Sequence, residues 1–163
     1  MRKDLKWEYA DSEVSEATIK ECEVQIGFQL PQDYIDCAKI NGGASVVPEE
    51  FIVGEVERCF GSLFSFDGES SEYIVKKYQI YKSSLPNQVF PIANDPAGNL
   101  ICLDFKDNLG SPIVVFWEHE NAWEKEMVMK EEGLTEEQAE ERARENVYYV
   151  ANTFSEFLDK LHD

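Results

Sequence analysis

His119 and His162 carry all the imidazole chemistry that this 163-residue chain can offer. His162 stands one residue from the end of the sequence, where chains fray, so it is set aside as a catalytic group. His119-Glu120-Asn121-Ala122-Trp123 opens like the HExxH zinc motif, but Trp123 occupies the position that needs the second imidazole. His119 therefore reads as an exposed residue at the end of a strand. Cys22, Cys37, Cys59 and Cys102 are widely separated and form no CxxC pair, and three of them sit inside apolar patterns. They read as reduced core thiols of a cytoplasmic protein, in preference to zinc ligands or a disulfide framework. Neither Gly42-Gly43 nor Gly98 begins a phosphate loop, and Asp104, Asp107 and Asn108 before Gly110 depart from the calcium-loop spacing. No metal, nucleotide or other cofactor is expected.

What remains is carboxylate. Asp and Glu number 33 against 15 Lys and Arg, a formal charge of −18. So many carboxylates guarantee that some pair lies within glycosidase distance, which makes such a pair uninformative. A second catalytic element is missing: there is no nucleophile elbow, no Cys with an activating His, and no cofactor fingerprint. The chain is not expected to be an enzyme. A surface of this sign also repels polyphosphate and anionic membranes, which gain affinity from cations, so nucleic acid and membrane are excluded as partners. A basic protein is the natural complement. Carboxylates flanked by aromatic anchors can supply both affinity and register, and on that ground the expected partner-binding residues are Asp67, Glu69, Glu72, Asp95, Asp104, Glu118 and Glu120. Phe64 and Phe66 precede the first group; Phe116, Trp117 and Trp123 surround the last.

These groups need a scaffold, and the hydrophobic pattern supplies one. Ile19, Cys22 and Ile26 recur at helical spacing before a capping Gly27. Pro31 suits the first position of a second helix with Tyr34, Cys37 and Ala38 inside, which Asn41-Gly42-Gly43 stops. Aromatic and β-branched residues from Phe51 to Phe66, broken at Gly54 and Gly61, predict strands at a sheet edge. Ile74, Tyr78 and Tyr81 mark a third helix. Val89 to Asn94, Leu100 to Phe105 and Ile113 to Trp117 predict a three-stranded antiparallel meander, apolar on both faces, with a turn at Asp95 to Gly98. Glu118 to Glu145 holds 11 acidic and 4 basic residues and predicts two exposed helices, anchored by Trp123, Met127 and Leu134 and capped by the Asn121/Glu124 and Thr135/Gln138 pairs. Thr153 and Glu156 cap a closing helix bearing Phe154, Phe157, Leu158 and Leu161. No stretch approaches the ~20 apolar residues of a membrane span, and no leader is evident.

Several of these segments share an order with a known family. Ile19, Cys22, Glu23, Ile26 and Gly27 are followed by Leu30-Pro31 with Asp33-Tyr34, then Asn41-Gly42-Gly43. Val89 to Asp95 with Gly98 to Asp104, Pro112 to Trp117 and Thr153 to Leu158 come next. Together they resemble the SUKH superfamily, whose members include fungal cell-wall assembly regulators and bacterial toxin-immunity proteins. The resemblance implies one α+β domain over residues 1–163, a twisted, mostly antiparallel sheet with flanking helices, and protein binding without shared catalytic residues. An acidic helical insertion at about 119–146 departs from the pattern. The implied role is an immunity protein that binds and neutralises a cognate toxin, often a nuclease; the alternative is an intracellular regulatory adaptor.

Overall fold

A computed structural model describes residues 2–107 and 110–163; Asn108, one of the oxygens weighed for a calcium loop, lies outside the described residues. The fold is α+β. In chain order it runs β1 (Lys6–Glu8), α1 (Glu16–Ile26), α2 (Gln32–Asn41), β2 (Ser45–Val47), β3 (Glu50–Val53), β4 (Val56–Cys59) and α3 (Ile74–Tyr81). There follow β5 (Val89–Asn94), β6 (Leu100–Asp104), β7 (Ile113–Trp117), α4 (Lys125–Glu132), α5 (Glu136–Arg144), β8 (Val147–Ala151) and α6 (Phe154–Asp159).

The predicted meander is the centre of the molecule, with one strand more than expected: β5-β6-β7-β8 form an antiparallel sheet of four strands. Every residue of β6 is buried, so both sheet faces are covered, as its unbroken apolar sequence requires. Phe28 packs on Phe105, Phe90 and Tyr78 with ring centroids 4.9, 5.5 and 5.9 Å away. Phe51 and Phe157 stack edge to face at 5.2 Å, and Phe51 reaches Phe116 at 6.2 Å. The strands from Phe51 onward are not a sheet edge. β3 and β4 pair with each other as a separate ribbon turned at Gly54, and Leu63, further on, bridges to Ala93 along β5.

The residues of the family pattern are joints of this scaffold. Asp33, in the first turn of α2, accepts at its Oδ2 from the N–H and hydroxyl of Ser155, each at 2.9 Å, thereby capping α6 from across the core. Tyr34 is wholly buried against Phe154 at 5.3 Å, and burial pushes its hydroxyl well above the usual range. Glu23 accepts from the Leu30 N–H at 2.7 Å and so fixes the α1–α2 connection. Two local expectations shift by a residue: Pro31 is the N-cap of α2, not its first helical residue, and of the Asn41-Gly42-Gly43 stop only Gly43 is left-handed, with φ 81°.

In the acidic segment, Thr135 and Gln138 make the expected capping box, and Ala139 and Ala143 are the thin buried stripe of α5. The other expected cap is absent: Glu124 is the N-cap of α4 and makes no side-chain bond there. Trp123 does not anchor α4, since it is 61% exposed; Val128 takes that place. Glu156 completes only half of the expected box at α6, because Thr153 accepts from the Glu156 N–H while the Glu156 carboxylate turns to the Asn152 N–H.

Candidate partner-binding surface

Strand register sorts the expected partner-binding residues. Asn94, Leu100, Trp117 and Val147 form the row that closes one end of the sheet. Glu72, Asp95, Glu118 and Glu120 gather at this end, whereas Asp104 sits at the far end of β6, about 14 Å away along an extended strand. Glu72 reaches the sheet end through its Oε2, which accepts from the Ser62 hydroxyl and the Asn94 side chain, both at 3.3 Å. Asp67 and Glu69 lie in the turn before α3, where Asp67 Oδ1 accepts from the Glu69 N–H at 3.0 Å.

Several of these carboxylates have structural work. Asp95 is buried, and its Oδ1 accepts from the Ala97 and Asn99 N–H groups at 2.9 and 2.7 Å, which holds the β5–β6 turn closed. Asp104 is buried in a bidentate pair with Arg144, at 2.6 and 3.1 Å. Glu118 is half-buried, 3.7 Å from Arg58, whose guanidinium also lies 4.8 Å over the Phe116 ring. Among the described residues, the carboxylates of Glu69 and Glu120 have no such partner. Asp95 and Asp104 thus present little charge outward, and the outward charge at this end comes from Glu72, Glu118 and Glu120, of which Glu118 is partly offset by Arg58.

Three residues beyond Glu120 stands the exposed Trp123; Tyr148 and Tyr149 of β8 are also about half exposed and, as neighbours on a strand, face opposite sides of the sheet. The two tyrosines escaped the sequence reading because β8 was not recognised. The run Val147-Tyr148-Tyr149-Val150 carries β-branched and aromatic residues, which was the available signal. Also missed were the basic residues that neutralise part of the acidity, Arg58, Lys125 and Arg144, because the pairings span distant parts of the chain.

His119 is exposed just past β7, as expected, with Nε2 2.9 Å from the Ala97 carbonyl. All four cysteines are free; Cys22, Cys37 and Cys102 are buried. Burial pushes the Cys37 thiol up to about 11, and raises those of Cys22 and Cys102. None of these three buried thiols is on offer as a thiolate nucleophile. Native protein treated with iodoacetamide at pH 8 is expected to carry label at Cys59 alone, slowly, and at all four sites only after unfolding. Peptide mass mapping checks this, and rapid native labelling of Cys37 would contradict it.

Residues 13–160 match the model of the SMI1 / KNR4 family (SUKH-1). The SPbeta prophage-derived uncharacterized protein YokK of Bacillus subtilis (strain 168) is 26% identical over 164 residues, spanning 89% of this chain and 73% of that protein. No helix among the described residues is long and apolar enough to cross a membrane.

Proposed function

Since the chain belongs to the SMI1 / KNR4 family (SUKH-1), a generally non-catalytic family of immunity and regulatory proteins, we propose that it binds another protein, as an immunity protein that neutralises a cognate toxin. The observation that carries this reading is the exposed Trp123 next to Glu118 and Glu120, at one end of a rigid sheet in a molecule of charge −18. A nuclease toxin presents a cationic groove for phosphate, and an acidic inhibitor fills it while electrostatic steering raises the association rate. The aromatic anchor supplies what charge alone cannot, a desolvated contact that slows dissociation. The site of action is the cytoplasm, in keeping with four free thiols. The second reading, a regulatory adaptor, draws on the same surface and on the regulatory branch of the family.

Binding kinetics against a catalytically inactive toxin domain encoded beside this chain test the assignment. Trp123→Ala with Glu120→Gln is expected to raise the dissociation rate about tenfold or more, at any salt concentration. Glu136→Gln with Glu137→Gln and Glu141→Gln is expected to slow association at low salt only. Glu140 is kept, because it pairs with Lys125 at 3.2 Å. Equal effects of both sets on dissociation would remove the surface from the interface. Absence of such a toxin gene, with several unrelated proteins bound instead, would favour the adaptor.

A further inference from the structure

His162 is pinned where chain-end fraying was expected. It forms a two-way bridge with Glu50: the Glu50 N–H donates to the His162 carbonyl at 3.1 Å, and the His162 N–H returns to the Glu50 carbonyl at 2.9 Å. The chain after α6 thus lies along the β3–β4 ribbon. On that ribbon Phe51 and Val53 face the core, so Glu50 and Ile52 face out, and Ile52 is opposite Glu57. The consequence is a cluster no sequence spacing announces: ligand atoms of Glu50, Glu57 and His162 all lie within 4.8 Å of one another.

The imidazole is oriented as a ligand. Its Nδ1 lies 3.0 Å from the Asp163 main-chain oxygen, an acceptor, which leaves Nε2 as the ring atom turned to the carboxylates. Nε2 is shielded from solvent and has no hydrogen-bond partner. It approaches Glu57 Oε1 to 3.4 Å without the geometry of a hydrogen bond. A bare Nε2 facing a carboxylate oxygen is repulsive unless a cation lies between them, and a proton placed on Nε2 would not meet Oε1 along a hydrogen bond. Two ligands each ~2.1 Å from a tetrahedral zinc stand about 3.4 Å apart, which is the separation of Nε2 from Glu57 Oε1, and Glu50 lies within 4.8 Å of both.

We propose that Glu50, Glu57 and His162 form a zinc site that clips the segment following α6 to the β3–β4 ribbon. One nitrogen and two carboxylate oxygens suit a borderline cation over magnesium or calcium, which prefer oxygen throughout. Glu57 is exposed and the other two residues are half-exposed, leaving the outer side of the ion to water. The fold does not need the ion, since its core is built from other residues. The clip adds stability by binding the folded chain alone.

The test uses the full chain, stripped with chelator and titrated with zinc chloride in millimolar magnesium to occupy diffuse acidic sites. One equivalent of zinc is expected, with a change in the 15N shift of His162 Nε2 and none at His119. The melting temperature should rise by about 5 °C at a hundredfold excess over Kd. His162→Ala and Glu57→Gln should each weaken zinc binding tenfold or more. Glu57→Gln leaves the Glu50–His162 backbone bridge in place, so it serves even if His162→Ala perturbs the fold. Cys59→Ser, on the strand partner of Glu50, should bind zinc unchanged. Unaltered affinity in Glu57→Gln, a zinc-dependent shift at His119 alone, or loss of binding in Cys59→Ser would each overturn the site.

Discussion

Gly43→Val is expected to cost about 3 kcal/mol and to lower the melting temperature by roughly 6–12 °C. Two separate costs meet at this residue. Its φ of 81° is left-handed, where a β-branched residue loses on the order of 2 kcal/mol. A Cβ there would also run into the Asp11 carboxylate. That carboxylate cannot simply swing aside, because it accepts the Ser70 hydroxyl at 2.5 Å while the Asp11 N–H donates to the Gly42 carbonyl at 2.7 Å. The Gly43 N–H in turn donates to the Leu63 carbonyl at 2.6 Å. The N-terminal segment, the end of α2 and the strand-like stretch along β5 are all tied at this point. Gly27 is the control: its φ is 80°, but nothing lies within 4 Å of its missing Cβ, so Gly27→Val should lose only the conformational part, about 2 kcal/mol. Urea unfolding of the two variants separates the steric part from the conformational part. Equal losses would mean that the Asp11 contact relaxes freely, and an unchanged melting temperature with lost partner binding would make Gly43 part of a binding loop.

That glycine shows why much of this fold was legible in the sequence. Helix ends, the α3 stripe and the central strands are local phenomena: Gly27 caps α1, Ile74 and Tyr78 are the buried face of α3, and an apolar run such as Leu100 to Asp104 has to be covered on both faces. Strand β8 was hidden because Tyr148 and Tyr149 are both about half exposed, which breaks the alternation that marks a half-buried strand. The Asn121 cap failed for a different reason. A polar residue three positions before a Glu is a common coincidence in an acidic segment, and here Glu124 itself precedes the helix.

The surface was less legible than the fold, because a carboxylate's role depends on what distant chain brings to it. Asp95 and Asp104 resemble Glu118 and Glu120 in sequence, each beside an aromatic or apolar run. Folding gives Asp95 a turn to close and Asp104 an arginine from forty residues away. His162 moves in the opposite sense, from a residue set aside to one fixed by the Glu50 bridge. Electrostatic sign, by contrast, is additive over the chain, and the net −18 needed no structure.

Arg144→Met is expected to destabilise the protein by about 3 kcal/mol. Asp104 is 8% exposed, and its carboxylate meets both Arg144 nitrogens, with the Lys106 N–H as an additional donor at 3.1 Å. Removing the guanidinium leaves a largely buried carboxylate with one backbone donor, whereas the pair itself adds little over a neutral replacement. Asp104→Asn in the Arg144→Met background should therefore restore most of the loss, because the amide oxygen can still accept from Lys106 while the charge is gone. If the pair behaved as an exposed one, the single variant would lose less than 1 kcal/mol and no rescue would be measurable. The position of the defect is also specified. Helix α5 has only Ala139 and Ala143 buried, and its other tethers are Glu140, bound to Lys125 at 3.2 Å and to the Asn87 N–H at 2.6 Å, and the exposed Arg142, which donates to Glu132 at 3.0 and 3.3 Å. Hydrogen exchange in Arg144→Met should accelerate across α5 before β6 and β7 are affected, since local opening follows the sparsest packing. A rigidly held α5 keeps Glu136, Glu137 and Glu141 in a fixed array on one side of the molecule, whereas a loosened one spreads the same charge over many orientations. The steering part of partner association should fall in Arg144→Met even though the variant is one unit more negative, and it should recover with Asp104→Asn.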